Sequence, residues 1–216
     1  GEQTVIIPLL NGANISEQIQ RILPSNEVWQ GCVYIVSRRS EPGKICKYSE
    51  NDQFNFGSLT GNKKKQVRLL SLLTAAGINA FNPENITDRI WKKFFRISTA
   101  ATLTSYYNLP IGKVLDLHTD DLLALADEFI AVATAMGISF PPNSRDEIIE
   151  GQRKMPYNST TSMHSDFLKG AQTELESITG YIVQCAKDLN IEVPCYLRMY
   201  NELKTNYTNI YNNPNN

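Results

Sequence analysis

Long apolar runs and an excess of charge are both missing from this sequence. No stretch approaches the roughly 20 apolar residues of a membrane-spanning helix, and the N-terminus lacks the charged and apolar segments of a secretory signal. Lysines and arginines (21) nearly balance aspartates and glutamates (22), so the net charge of −1 creates no field that attracts nucleic acid or an anionic membrane. These absences predict a soluble, cytoplasmic protein without nucleic-acid or membrane partners.

Residues that bind metals or form disulfides are also few. The four cysteines form no C-x-x-C pair, and the two histidines, His118 and His164, are far apart in the sequence. We therefore expect reduced thiols, no metal site and no serine–histidine triad. Both histidines are predicted to lie at the surface or to cap helices.

The composition is sufficient for sizeable cores, since 42% of the 216 residues are apolar and 20% are charged. The pattern changes near residue 85. Residues 1–84 combine short β-like runs with helical segments, whereas residues 85–216 carry helical signals. The sequence therefore predicts an α/β segment, the tail of a sheet, followed by an all-α domain.

An amide side chain follows the first predicted strand. Residues 4–10 form an apolar run that ends in the turn dipeptide Asn11-Gly12. Ligands of open α/β sheets gather at the carboxyl ends of strands, where a side-chain amide can donate and accept hydrogen bonds at once. Asn11 is therefore a candidate binding residue; the alternative is an asparagine that only forms the turn.

One carboxylate is expected on a buried helix face. Helical signals extend over residues 162–189, which predicts one long helix with Ser162 as its N-cap or as a ligand contact. The residues within roughly 60° of Glu174, at about 100° per residue, are Phe167, Ala171, Ile178 and Tyr181. Because burying an acid is costly, Glu174 is a candidate functional residue.

A lysine occupies an unusual position on the helix that begins near residue 86. Lys93 sits between Ile86 and Ile97, at the margin of the apolar stripe. A lysine held there loses hydration, which favours proton exchange near neutral pH. Alternatively, the side chain extends its ammonium into water and has no chemical role. The spacing leaves both interpretations open.

These segments together resemble ketopantoate reductase, also called 2-dehydropantoate 2-reductase. The motifs that carry the resemblance are Pro8-Leu9-Leu10-Asn11-Gly12, Trp91-Lys92-Lys93, Pro110-Ile111-Gly112, and Ser162-Met163-x-x-Asp166 with Thr173-Glu174-x-Glu176-x-Ile178-x-Gly180. They occur in the order of the family and span nearly the whole chain. Each motif alone is weak, and their combination is specific.

The resemblance implies a two-domain enzyme. Residues 1–84 would be the C-terminal part of a dinucleotide-binding domain, and residues 85–216 a helical domain similar to the C-terminal domain of 6-phosphogluconate dehydrogenase. The implied reaction is NADPH-dependent reduction of 2-dehydropantoate to pantoate, on the route to pantothenate and coenzyme A. A homodimer through the helical domain is compatible with the resemblance.

The resemblance also implies roles for four residues. Lys93 matches the lysine that acts as general acid, and Glu174 matches the glutamate at the nicotinamide ribose and the reacting hydroxyl. Asn11 matches the asparagine that contacts cofactor and substrate, and Ser162 matches a serine that binds substrate.

Three positions depart from the family pattern. Asparagines are common in the family where this chain has Ile97, Ala101 and Ile111. Ser98 is a candidate substrate contact in their place, and Thr102 could also lend a hydroxyl to the pocket, although serines and threonines in a helix more often bond to the preceding turn. The identity of the 2-keto acid therefore stays open. The alternatives are an NADP-dependent reductase of another 2-keto or β-hydroxy acid and a non-catalytic helical assembly module.

The cofactor motif itself is missing from these 216 residues. No G-x-G-x-x-G is present, and the chain begins on what the family would count as a late strand. We therefore expect that this polypeptide lacks most of the NADPH-binding domain, binds NADPH weakly and is inactive alone.

Overall fold

The computed structural model describes residues 4–48, 50 and 52–212. The chain divides into two compact units between Ile90 and Trp91, within a helix and slightly after the predicted boundary at residue 84. The predicted fold class, an α/β segment followed by a helical domain, is confirmed. Within the described residues, no helix is both long enough and apolar enough to cross a membrane.

The first unit is built from short strands and two helices. The strands are β1 (Val5–Ile6), β2 (Glu27–Val28), β3 (Gln30–Tyr34), β4 (Ser37–Glu41), β5 (Lys44–Lys47), β6 (Gln53–Gly57) and β7 (Ala80–Phe81), and the helices are α1 (Ile15–Ile22) and α2 (Lys63–Ala75). β1 pairs in parallel with β2, β6 pairs with β3 (antiparallel) and β7 (parallel), and β4 and β5 form an antiparallel hairpin.

The first strand is shorter than predicted. The apolar run 4–10 forms strand pairs only over β1, and residues 7–10 follow without a regular element. Pro8 has no N–H to donate to a ladder. The segment also lies close over Gly31, where an added Cβ would be 2.6 Å from the Ile7 side chain and 2.9 Å from the Pro8 carbonyl oxygen. Close contact with glycine thus replaces strand pairing here.

Two apolar clusters stabilise the first unit. Phe56 stacks on Trp29 and Phe54, with ring centroids 6.1 and 5.5 Å apart. Cys32 packs with Ile86 and Ile90, and the partly buried Ala13 lies against that second cluster. This packing fixes the loop that carries Asn11.

The second unit is helical. Its helices are α3 (Ile86–Tyr107, which begins in the first unit), α4 (Ile111–Leu117), α5 (Thr119–Ala135), α6 (Ser144–Arg153), α7 (Ser162–Leu168), α8 (Leu175–Leu189) and α9 (Pro194–Asn212). The prediction of one helix over residues 162–189 is wrong. Gly170 adopts a left-handed φ of 60° after α7, and the Ala171 N–H bonds back to the Asp166 carbonyl, which ends the helix.

Aromatic rings join the helices of the second unit. Phe129 on α5 lies 5.7, 5.6 and 4.9 Å from the rings of Trp91, Phe94 and Phe95 on α3. Tyr181 on α8 contacts the first two of these rings at 6.3 and 6.0 Å. α3, α5 and α8 therefore share one core.

Buried hydroxyl pairs add directional contacts to this core. Ser98 on α3 hydrogen-bonds Tyr196 on α9 at 2.9 Å, and Thr102 on α3 hydrogen-bonds Thr179 on α8 at 2.8 Å. All four side chains are buried. Because a buried hydroxyl is costly without a partner, these pairs fix how α3 sits against α8 and α9.

We expect a double-mutant cycle to detect the second pair. Thr102→Val or Thr179→Val alone should lower the free energy of unfolding by about 1–2 kcal/mol, since each leaves one buried hydroxyl unpaired. The double variant should lose less than the sum of the two, as measured by urea unfolding. Thr205→Val, at an exposed threonine of α9, is the control, and strict additivity would contradict the assignment.

Candidate active site

Lys93 lies in the first half of α3 and is half-buried, whereas its neighbour Lys92 is exposed. Trp91 and Phe94, which flank the lysines, are buried against Tyr181 of α8. At about 100° per residue, Ile97, Ala101 and Thr104 fall within about 80° of Lys93 on the same face of α3. This face, here called the Lys93 face, runs from the lysine toward the end of the helix.

A hydrogen bond joins the Lys93 face to the start of α7. The Thr104 and Thr161 hydroxyl oxygens are 2.9 Å apart. Thr104 donates to the Ala100 carbonyl at 2.8 Å, so the Thr161 hydroxyl donates to Thr104. The Thr161 oxygen in turn accepts from the His164 N–H at 3.3 Å, which makes Thr161 the N-cap of α7.

Ser162 is therefore the first residue of the helix. One interpretation of the sequence made it the N-cap, and that interpretation is wrong. Its side chain is exposed. Since Thr161 satisfies the capping bond, the Ser162 hydroxyl is not needed for that purpose. The serine is presented to solvent beside the Thr104–Thr161 bond.

Glu174 is placed differently from the prediction. It precedes α8 as the N-cap residue, with φ −86°, and it is half-buried. Its carbonyl accepts from the Ile178 N–H at 2.9 Å and the Ser177 hydroxyl at 3.1 Å. The expected burial within a continuous helix is wrong because the chain leaves the helix at Gly170.

Glu174 and Lys93 nevertheless belong to helices that pack on each other. Tyr181, which contacts Trp91 and Phe94, follows Glu174 by about 10 Å along α8. The Thr102–Thr179 bond adds a second contact between α3 and α8. The helical unit thus supplies an ammonium, a carboxylate and an exposed hydroxyl from three connected helices.

Asn11 belongs to the first unit. It is half-buried in a bend after β1, and the following Gly12 has a φ of 118°, which favours glycine. The parallel pairing of β1 with β2 puts this bend beyond the carboxyl ends of two parallel strands. Asn11 follows the end of β1 by five residues, and its role as a ligand-binding amide stays a prediction.

Ser98 lies in the core of the helical unit. Its side chain has no exposed surface, and its hydroxyl bonds to Tyr196. Burial raises the pKa of Tyr196, so both groups stay neutral. The predicted substrate contact at Ser98 would require this buried bond to break.

The two histidines have separate environments. His118 is half-buried between α4 and α5, and its ring stacks on Tyr107 with centroids 3.5 Å apart. The prediction of a surface or capping role is wrong for His164, which is only 5% exposed. Its Nδ1 is 2.5 Å from the Thr160 hydroxyl and its Nε2 is 2.8 Å from Asn108 Oδ1. Burial lowers the pKa of His164.

Five residues connect these groups, and their connecting roles could not be predicted from the sequence patterns. They are Thr104, Asn108, Thr160, Thr161 and His164. The one available signal was Thr161, which precedes an apolar–polar helical pattern and so fits an N-cap. Among the described residues, no group of three or more histidine, cysteine, aspartate or glutamate side chains is arranged to hold a metal ion.

Family models match both units. The model described as "Ketopantoate reductase PanE/ApbA C terminal" matches residues 85–207, and "Ketopantoate reductase PanE/ApbA" matches residues 1–61. The chain is also 27% identical over 206 residues to "Uncharacterized oxidoreductase YkpB" of Bacillus subtilis (strain 168), covering 94% of this chain and 68% of that protein.

Solved structures show the same fold. The 2-dehydropantoate 2-reductase of Porphyromonas gingivalis W83 matches with 40% identity and a TM-score of 0.78, over 93% of this chain and 63% of that one. A D-mandelate dehydrogenase, solved with NADH and anilino(oxo)acetate, matches with 19% identity and a TM-score of 0.85, over 97% of this chain and 70% of that one. The chain thus spans about two thirds of the length of such relatives.

Proposed function

This chain belongs to the ketopantoate reductase PanE/ApbA family, and we propose that it carries the catalytic helical part of an NADPH-dependent reductase that converts 2-dehydropantoate to pantoate. The observation that carries the proposal is the Lys93 face: a half-buried lysine on α3, linked through Thr104 and Thr161 to an exposed serine at the start of α7. Such an arrangement suits a small anionic keto acid. The product would serve pantothenate and coenzyme A synthesis.

The proposed chemistry needs one proton donor. As a ketone is reduced, negative charge builds on its oxygen, and the Lys93 ammonium stabilises that charge and supplies the proton. Glu174 orients the lysine or a ribose hydroxyl. Ser162 hydrogen-bonds the substrate. A reduced nicotinamide, when bound, supplies the hydride.

Each unit holds one side chain with the chemistry to bind such a cofactor. Asn11, an amide beyond the ends of two parallel strands, and Glu174, a half-buried carboxylate, are groups that hydrogen-bond a carboxamide or ribose hydroxyls. The 216 residues contain no G-x-G-x-x-G turn for the pyrophosphate. We therefore propose that Asn11 and Glu174 contact the nicotinamide end, and that the chain alone binds NADPH weakly and is inactive.

A second candidate function is the reduction of another 2-keto acid. Ile97, one turn after Lys93 on the Lys93 face, is half-buried and apolar, whereas Ala101 farther along is buried. An isoleucine beside the lysine cannot hydrogen-bond the terminal hydroxyl of 2-dehydropantoate and would favour a substrate with an apolar side chain. A relative with the same fold is a D-mandelate dehydrogenase, whose name denotes such a substrate.

A substrate panel tests both candidates. We would assay the 216-residue chain and a chimera in which the N-terminal segment of the P. gingivalis enzyme precedes it, following NADPH and NADH oxidation with 2-dehydropantoate, 2-ketoisovalerate and phenylglyoxylate. We expect the chimera to prefer 2-dehydropantoate by at least about tenfold in kcat/KM, since a satisfied hydroxyl is worth more than about 1 kcal/mol.

Three other results would each change the assignment. A preference for the two apolar acids would favour the second candidate. Reduction by the 216-residue chain alone would refute the expected inactivity. A chimera that binds NADPH but reduces none of the three acids would refute the proposed function. Sedimentation velocity on the same samples tests the homodimer that we propose for the helical unit.

A further inference from the structure

We propose that His164 is a positioning residue that fixes the start of α7 against the end of α3 and so aims Ser162 at the substrate. The inference rests on the proposed function for the role of Ser162. The placement of the histidine itself rests on contacts within the helical unit. His164 fills an unspecified position of the Ser162-Met163-x-x-Asp166 motif, and its partners Thr160 and Asn108 lie outside the motifs of the family resemblance.

The imidazole is held from both sides. Nδ1 lies 2.5 Å from Thr160 in the loop before α7, and Nε2 lies 2.8 Å from Asn108, the residue that follows α3. Asn108 adopts a left-handed φ of 53°, which asparagine tolerates better than most residues. The ring therefore bridges the N-terminus of one helix and the C-terminus of another.

The hydrogen-bond partners select one tautomer. Because Asn108 Oδ1 can only accept, Nε2 must carry the proton. Nδ1 of the neutral ring then accepts from the Thr160 hydroxyl. A buried ring with both nitrogens satisfied has one orientation, which is what a positioning residue requires.

The same histidine completes the cap that precedes Ser162. Its main-chain N–H donates to Thr161, and the Thr161 hydroxyl donates to Thr104 on the Lys93 face. The Ser165 N–H also closes the first turn on the Thr161 carbonyl at 3.0 Å. Ser162 thus lies between Thr161, which hydrogen-bonds to Thr104 in α3, and His164, which hydrogen-bonds to Asn108 just after α3. Neither of these bonds uses the Ser162 hydroxyl.

The loop before α7 is anchored to α4 as well. The N–H groups of Ile111 and Gly112 donate to the carbonyls of Ser159 and Tyr157, both at 2.9 Å. The Tyr157 ring covers Gly112 so closely that an added Cβ would lie 2.2 Å from it. Since the loop is held at its beginning by α4, His164 determines the position of its end.

Two variants separate positioning from simple packing. His164→Phe keeps a ring of similar shape and removes both hydrogen bonds, whereas His164→Gln retains a donor that can reach Asn108. In the 216-residue chain we expect the Ser165 amide to exchange hydrogen about 30-fold faster in H164F, which loses two bonds, and about fivefold faster in H164Q, which loses one, given about 1 kcal/mol for each lost bond. Ile148→Val, a buried change on α6, is the control for general loss of stability.

Kinetics of the chimera give the functional half of the test. H164F should raise the KM for the preferred 2-keto acid about tenfold with kcat changed less than about threefold, and H164Q should largely restore it. An unchanged KM would overturn the inference, and so would a kcat that falls by the same factor as KM rises. If the chimera reduces no keto acid, the proposed function fails. The placement of the His164 ring is then tested separately by its nitrogen-15 spectrum, and a charged ring or an Nδ1–H tautomer would overturn it.

Discussion

Replacing Lys93 with alanine is expected to lower kcat of the chimera about 10²- to 10⁴-fold, the range that a general acid contributes. The alanine neither protonates the carbonyl oxygen nor stabilises the charge that develops on it. Substrate binding should weaken much less, because Ser162 and the Lys93 face remain. The measurement is steady-state NADPH oxidation with 2-dehydropantoate, compared with single-turnover rates to exclude a change in product release.

The neighbouring lysine provides a matched control. Lys92 has the same charge and lies one residue earlier on α3, but its side chain is exposed whereas Lys93 is half-buried. Lys92→Ala should therefore leave kcat within about twofold, because surface substitutions rarely matter. Equal losses in the two variants would show that only the local charge counts. Full activity in K93A would favour the non-catalytic assembly module.

The organisation of α3 could be predicted from sequence because its signals are local. Acidic residues near the start, an apolar stripe, and the Asn108-Leu109-Pro110 stop define a helix that the structure has over Ile86–Tyr107. Gly77, with a φ of 76°, likewise lies just beyond the end of α2, as is typical of a glycine that ends a helix. Where one residue type enforces one backbone conformation, the pattern is sufficient.

The region from Ser162 to Glu174 shows why the rest could not be predicted. An apolar periodicity continues across Gly170, and a helical glycine alone is a weak signal, since it costs only about 1 kcal/mol. The break depends on the Ala171 bond to Asp166. After it, α8 packs on α5 and α9, whereas the start of α7 hydrogen-bonds to α3. Extending the periodicity across it gave Glu174 the wrong surroundings.

The candidate site was only partly accessible from sequence for a related reason. Lys93 and Glu174 could be singled out from the sequence by their unusual positions and by the family resemblance. By contrast, His164 and Thr104 meet residues 56 and 57 positions away in the chain. Residue spacing within one helix gives no information on such pairs. They can be identified only from the three-dimensional arrangement of α3 and α7.

Glu174→Gln is expected to lower kcat about 10- to 100-fold, because a hydrogen bond to a charged group contributes about 1.5–3 kcal/mol. Glutamine preserves the shape and the hydrogen-bonding capacity of the side chain at the start of α8 while removing its charge. Steady-state kcat of the chimera with 2-dehydropantoate measures this effect.

Glu176 is the control for this experiment. It lies two residues later, on the exposed side of α8, and its carboxylate pairs with Lys204 at 3.0 Å and accepts from Tyr200 at 2.7 Å. Glu176→Gln removes the same charge from the same helix end, so any general effect of the helix dipole is common to both variants. Because an exposed ion pair contributes little, E176Q should leave kcat essentially unchanged. A loss of kcat that is equal in the two variants would mean that Glu174 acts at long range rather than through the lysine or a ribose hydroxyl, and its assignment as a site residue would be wrong.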